Sequence, residues 1–127
     1  MVVCDDARKE VTGKDILVGV YGGGIHTPQL PVSINLSFWL EITVRKPGRL
    51  AVDIKVECPG DNDPVMLQLG GDVLNPNEAF SVFTPQLGYA IARSGHLKLF
   101  IKASNKEGWT LLKQVPITHV PLPAPPL

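Results

Sequence analysis

VSINLSFWLEITV, residues 32–44, places Val32, Ile34, Leu36, Phe38, Leu40, Ile42 and Val44 at every second position. Ser33, Asn35, Ser37, Glu41 and Thr43 fill the gaps, and only Trp39 breaks the polar set. Side chains alternate across a β-strand, so this pattern buries one face and wets the other; a helix would scatter the same residues around its circumference. At ~3.3 Å per residue a flat run of this length would span ~43 Å, so a strong twist or a bulge is expected along it.

Working outward, Pro47-Gly48 supplies a turn, and RLAVDIKVEC resumes the alternation. Leu50, Val52, Ile54, Val56 and Cys58 lie on one side, with Asp53, Lys55 and Glu57 on the other. The two runs read as one long antiparallel hairpin. Before them, Thr12-Gly13-Lys14 turns between strands expected over Ala7–Val11 and Ile16–Tyr21. After them, strands are expected at Val65–Leu69, Ala79–Phe83, Leu97–Ala103 and Trp109–Ile117. Short strands at this spacing, with no helical period, point to an all-β fold. The expectation is a single-domain, mostly antiparallel β-sandwich, immunoglobulin-like or C2-like, over residues 1–118, with a closed barrel as the alternative. VPLPAPPL is too rich in proline to enter a sheet interior, so residues 119–127 read as an extended proline-rich tail.

Composition narrows the classes of function. The chain has 127 residues, with 12 basic and 12 acidic side chains and a formal net charge of zero. It therefore offers no large electrostatic term for a phosphate backbone, and nucleic acid is not an expected partner. A near-neutral protein also has little colloidal repulsion, which tolerates self-association. No apolar stretch reaches ~20 residues and MVVCDDARKE has no apolar signal core, so neither a membrane nor a secretory route is expected. The two cysteines, Cys4 and Cys58, form no CxxC pair, which suits a reduced, cytoplasmic setting. Without secretion the triplet Asn35-Leu36-Ser37 has no route to glycosylation.

Several motifs invite chemistry. VYGGGIHTPQLP, residues 20–31, holds Gly22, Gly23 and Gly24, yet it fits no GxxxxGK[ST] frame and precedes no helix, so it is not a phosphate loop. It reads as a connector whose glycines permit positive φ. Tyr21, Gly22, Gly23, Gly24, His26 and Gln29 form its candidate contact surface, because loops at sandwich ends often bind. Lys14 after Gly13 is followed by Asp15, which suits a hairpin turn and not a phosphate site. His26, His96 and His119 are too dispersed to form a local ligand pair. Asp61, Asp63 and Asp72 are the candidates for a Ca²⁺ site, set against the plain fact that turns are built from Asp, Asn, Pro and Gly. No other metal and no cofactor is expected. A cysteine nucleophile lacks an elbow motif, and Asp5-Asp6 cannot act as a carboxylate dyad because neighbouring strand residues face opposite ways; at least one of them reads as a turn or cap residue. The chain is not expected to be an enzyme.

The opening CDDARKEVTGKDILVGVYGGGI resembles a family of small, uncharacterised bacterial proteins. These begin with a Cys-Asp-Asp-x-Arg-x-Glu segment, followed by a Gly-Lys turn and a strand ending in Gly-Val-Tyr. The matching positions are Cys4, Asp5, Asp6, Arg8, Glu10, Gly13, Lys14, Gly19, Val20 and Tyr21. The segment from Phe83 to Ile117, FTPQLGYAIARSGHLKLFIKASNKEGWTLLKQVPI, is similar to a later part of such proteins. The resemblance implies a bacterial origin and an all-β fold and supplies no activity, since the family's function is unassigned.

Two aromatics depart from the pattern. Trp39 stands on the polar face of the longest strand, and Phe100 stands between Lys98 and Lys102 on the polar face of another. Placed on adjacent strands they would form an adhesive patch, unless a loop or the proline-rich tail covered them. The resulting expectation is a non-catalytic binding or structural module that contacts protein through Trp39 and Phe100, with a symmetric homo-oligomer as the simplest case. A Ca²⁺-dependent ligand-binding sandwich is the first alternative and an uncharacterised small enzyme the second.

Overall fold

The computed structural model describes residues 1–73 and 75–121. All regular structure in this range is β: β1 (Val2–Lys9), β2 (Asp15–Val20), β3 (Ile25–Thr27), β4 (Val32–Thr43), β5 (Gly48–Glu57), β6 (Val65–Val73), β7 (Ala79–Phe83), β8 (Leu87–Ile91), β9 (Gly95–Ala103) and β10 (Thr110–His119). Two five-stranded sheets result. The front sheet has the order β2-β1-β4-β7, with β8 also paired to β4; the back sheet has the order β3-β10-β9-β5-β6. Pairing is antiparallel except between β3 and β10.

The alternation in β4 does what its pattern requires. Leu36, Phe38 and Leu40 turn inward into one core cluster with Ile54 and Val56 of β5, Leu97 and Leu99 of β9, and Val115 and Ile117 of β10. Phe38 packs edge-on against Tyr89 of β8, with ring centroids 5.4 Å apart, a geometry worth about 0.5–1.5 kcal/mol beyond the area it buries. The length of β4 is accommodated by a change of partner. Val32–Leu36 pair with β8 and Trp39–Thr43 with β7, while Thr84 holds the junction by donating its N–H to Phe38 O and accepting the Phe38 N–H on Oγ1.

The expected hairpin of β4 with β5 does not form. β4 lies in the front sheet and β5 in the back, so residues 44–47 cross between layers instead of turning within one. Alternation is equally satisfied by two strands side by side and by two strands facing each other across a core, and here the second arrangement holds. The hairpin of β1 with β2 does form. Glu10 N–H donates to Lys14 O and Gly13 N–H to Glu10 O, and Gly13 takes the left-handed conformation (φ 92°) that closes such a loop with a bulge. β10 runs through His119, which pairs with Thr27, so the strand includes the first residue assigned to the tail; most of the proline-rich segment lies outside the described residues.

Candidate functional site

The outward faces of the two sheets carry the aromatics, and they differ in cover. On the front sheet, Trp39 Nε1 donates to Asp15 Oδ2 at 2.9 Å, and Ser81 Oγ donates to the same oxygen. Trp39 pairs with Val2 and Asp15 with Lys9. In a flat sheet those positions would stand roughly 20 Å apart along β1. The contact therefore requires that the hairpin, after pairing with β4 through Val2–Cys4, leave the plane and turn across the outer face. Cys4 and Ser37 are buried as well, although both point away from the core side occupied by Val3 and Phe38, and Cys4 Sγ donates to Ser37 O. Gln86 ties down the crossing by donating its amide to Asp5 O at 2.8 Å. Trp39 is thus half-buried beneath the hairpin, with its N–H engaged.

Asp15 is the anchor. Its side chain is 12% exposed, and Lys9 Nζ lies 3.0 Å from Oδ1. The Ser81 hydroxyl first, then the Trp39 N–H and Lys9, hold its carboxyl down at about 2. The neighbouring carboxylates divide as strand geometry demands, both within β1 and neither at a turn or cap. Asp6 pairs with Arg8 Nε at 2.7 Å, whereas Asp5 accepts the Tyr21 hydroxyl at 2.7 Å. Burial and the Asp5 contact push the Tyr21 hydroxyl up to about 12. The Asp5 carboxyl sits against Gly19, where a Cβ would meet Asp5 Cγ at 2.7 Å, and Gly19 is left-handed (φ 67°). The positive φ expected at Gly22–Gly24 is found at Gly19 instead. The residues of the quoted opening therefore work together in building the hairpin.

On the back sheet, Phe100 faces outward as expected. Cross-strand register sets Met66, Lys55, Phe100 and Leu111 in one row over β6, β5, β9 and β10. Met66 is 56% exposed and Leu111 42%. The bulge between Leu111 and Lys113 leaves Leu112 exposed beside them. Trp109 completes the patch just before β10. Lys55 Nζ lies 4.6 Å from the Phe100 centroid and 4.9 Å from that of Trp109, and Lys102 Nζ lies 5.3 Å from Trp109. Lys102 is itself paired with Asp53 at 3.0 Å. The Ser104 hydroxyl, then Lys102, lower the pKa of the Asp53 carboxyl. The patch is therefore rings and thioether crossed by neutralised lysines.

Phe100 and Trp39 do not meet, because they stand on the outer faces of different sheets. Trp109, Lys55 and Asp15 were not singled out from sequence; their roles arise from strands distant in the chain. The segment from Tyr21 to Gln29 connects the two sheets and contains β3. Gly22 and Gly23 border open space, Gly24 lies against Pro116, and His26 is exposed beside Thr118. The Gln29 N–H and C=O both engage Thr27 Oγ1.

The acidic residues considered for Ca²⁺ are not brought together. Asp61 and Asp63 precede β6, Asp72 lies near its far end, and the extended strand holds them apart. Asp61 has Arg93 3.8 Å away. Among the described residues no group of three His, Cys, Asp or Glu side chains converges. Both thiols are poor nucleophiles. Burial, then Asp6 and Asp5, raise the Cys4 pKa, and burial pushes Cys58 up to about 11. An apolar cavity of about 140 Å³ opens between β7 and the β5–β6 pair, with Asp72 its one charged lining residue, so it presents no acid–base pair.

No family model matches the chain, and no curated protein or solved structure gives a match. No helix of the described residues is long and apolar enough to cross a membrane.

Proposed function

We propose that the protein is a non-catalytic bacterial module, of immunoglobulin-like or C2-like sandwich type, that works in the cytoplasm by contacting another protein. The observation that carries this reading is the outer face of the back sheet, where Phe100 and Trp109 lie among exposed Met66, Leu111 and Leu112. Aromatic and methionine side chains beside cationic stems are enriched at the centres of protein interfaces, and lone exposed apolar residues do not normally gather this way. The two free cysteines support a reducing compartment. Kinship with the uncharacterised bacterial family belongs to the same proposal, supported by the joint role of Asp5, Gly13, Gly19 and Tyr21 in one hairpin.

Leu111→Glu tests the reading, since it places a carboxylate directly beside Phe100 at an exposed position of the patch. A protein recovered from host lysate by the wild type should be lost with this variant, and the purified pair should bind with the same difference. If nothing recovered by the wild type depends on Leu111, the back-sheet face is not the contact surface.

A further inference from the structure

The hairpin carries a second apolar feature that the back-sheet reading does not use. Ile16, Val18 and Val20 stand at alternate positions of β2 and are 42%, 48% and 55% exposed. They face away from the front sheet, on the side opposite Asp15. β2 also ends the front sheet's strand order, so its far edge has no strand partner among the described residues. Because Glu10 N–H bonds Lys14 O, alternation turns the backbone groups of Ile16 and Val18 toward β1 and those of Leu17 toward the free edge. Exposed edges are commonly guarded by lysine, proline or inward charge, and the run Ile16–Val20 has none of these.

We propose that this edge is where two copies of the chain meet, β2 against β2, antiparallel about a two-fold axis at Val18. A two-fold contact must match itself, and the stripe Ile-x-Val-x-Val does so about its centre. Ile16 of each copy lies opposite Val20 of the other, and Val18 lies opposite its own counterpart, so the exposed β-branched chains merge into one ridge. The charges are compatible. The net formal charge is zero, and Asp6 and Arg8, the ionised groups beside the stripe on β1, already neutralise each other at 2.7 Å within each copy. The two copies of Lys14 fall at opposite ends of the ribbon, roughly 26 Å apart. About this axis the backbone groups that meet are those of Leu17 and the partner copy's Gly19, and the left-handed turn at Gly19 (φ 67°) limits the ribbon to that pair on each side, so the dimer is a weak one.

Sedimentation velocity over a concentration series tests this with the wild type, Val18→Lys, Val18→Asp and an equal mixture of the two variants. The wild type should move from monomer to dimer mass, and each variant alone should dimerise more weakly by over about tenfold, because like charges then face each other across the axis. The mixture should recover the dimer, since an ammonium then faces a carboxylate. Val18 is half exposed, so at concentrations where the wild type is monomeric the unfolding midpoints of the variants should match it and exclude misfolding as the cause. A wild type that stays monomeric, a dimer indifferent to Val18→Lys, or a mixture no more dimeric than its components overturns the proposal. Leu111→Glu leaves this edge intact, so the two readings fail separately.

Discussion

The front and back sheets each carry a large ring on the face that alternation assigns to solvent, and each deals with it differently. Trp39 is roofed by the β1–β2 hairpin, and its N–H is held by Asp15, a carboxylate that also engages Ser81 and Lys9. Phe100 is also half-buried but has no such roof among the described residues; Lys55 lies over it and over Trp109, and Lys102 over Trp109, with their charges offset by Glu57 and Asp53. The local sequence feature is the same in both places, an aromatic between polar neighbours. What differs is whether a distant segment with a complementary hydrogen-bond acceptor can reach it. One ring becomes an internal anchor and the other part of an exposed face.

The comparison breaks most severely at Gly19. Gly19→Ala forces an L-residue into a left-handed conformation and drives its Cβ into the Asp5 carboxyl, displacing the acceptor of the Tyr21 hydroxyl. A loss of about 2–4 kcal/mol in denaturant unfolding is expected. Thiol labelling should show where the damage falls. Cys4, buried in the hairpin's first strand, should become reactive well before global unfolding, while Cys58 keeps its native rate. Equal acceleration of both would mean that the hairpin is not an independent cover.

A smaller effect is expected at Asp15. Its native pKa of about 2 lies below the ordinary carboxyl value near ~4, so the ionised form is favoured by folding. The resulting stabilisation is fully present above pH ~4 and is lost as pH falls from there toward 2; it is on the order of 2 kcal/mol. Asp15→Asn should cost about that much at neutral pH and should flatten the acid limb of the stability curve. In a Trp109→Phe background, Trp39 fluorescence should shift to the red as the wild type is acidified through this window. An unchanged acid limb in Asp15→Asn would show that the anchor does not hold the roof.

The smallest effect is expected on the open face. Lys55→Met keeps the stem and removes the charge over both rings, and the loss should stay within about 1 kcal/mol by thermal unfolding, as cation–π contacts at partly exposed sites are worth about 0.5–1 kcal/mol. A loss as large as that at Asp15 would mean that the back-sheet rings are anchored as firmly as Trp39.

Much of this frame is legible in the residues. β4, β5 and β9 keep an apolar residue at every second position, and these inward sets supply most of the buried core. β3 and β8 escaped notice for different reasons. Ile25–Thr27 is a three-residue strand among glycines and prolines, formed by parallel pairing with β10, and LGYAI holds a glycine where a strand is expected to carry a side chain. Of the exposed patch, Phe100 is recognisable between its two lysines. Trp109 and Lys55 are not, because they join it only through the register of β10, β5 and β9.

The sequence by itself determined that the chain is all-β, which side chains turn inward along its longer strands, and that Trp39 and Phe100 would be the aromatics out of place. Only the tertiary structure decided that β4 and β5 face each other across the core instead of lying side by side, and that a hairpin from the start of the chain folds over Trp39 and leaves Phe100 open. The physical reason is that a period of two specifies a strand's faces and is silent about its neighbours. Neighbours are selected by packing and hydrogen bonds between residues far apart in the chain, such as Asp15 with Trp39 and Ser81, and no local pattern carries those pairings.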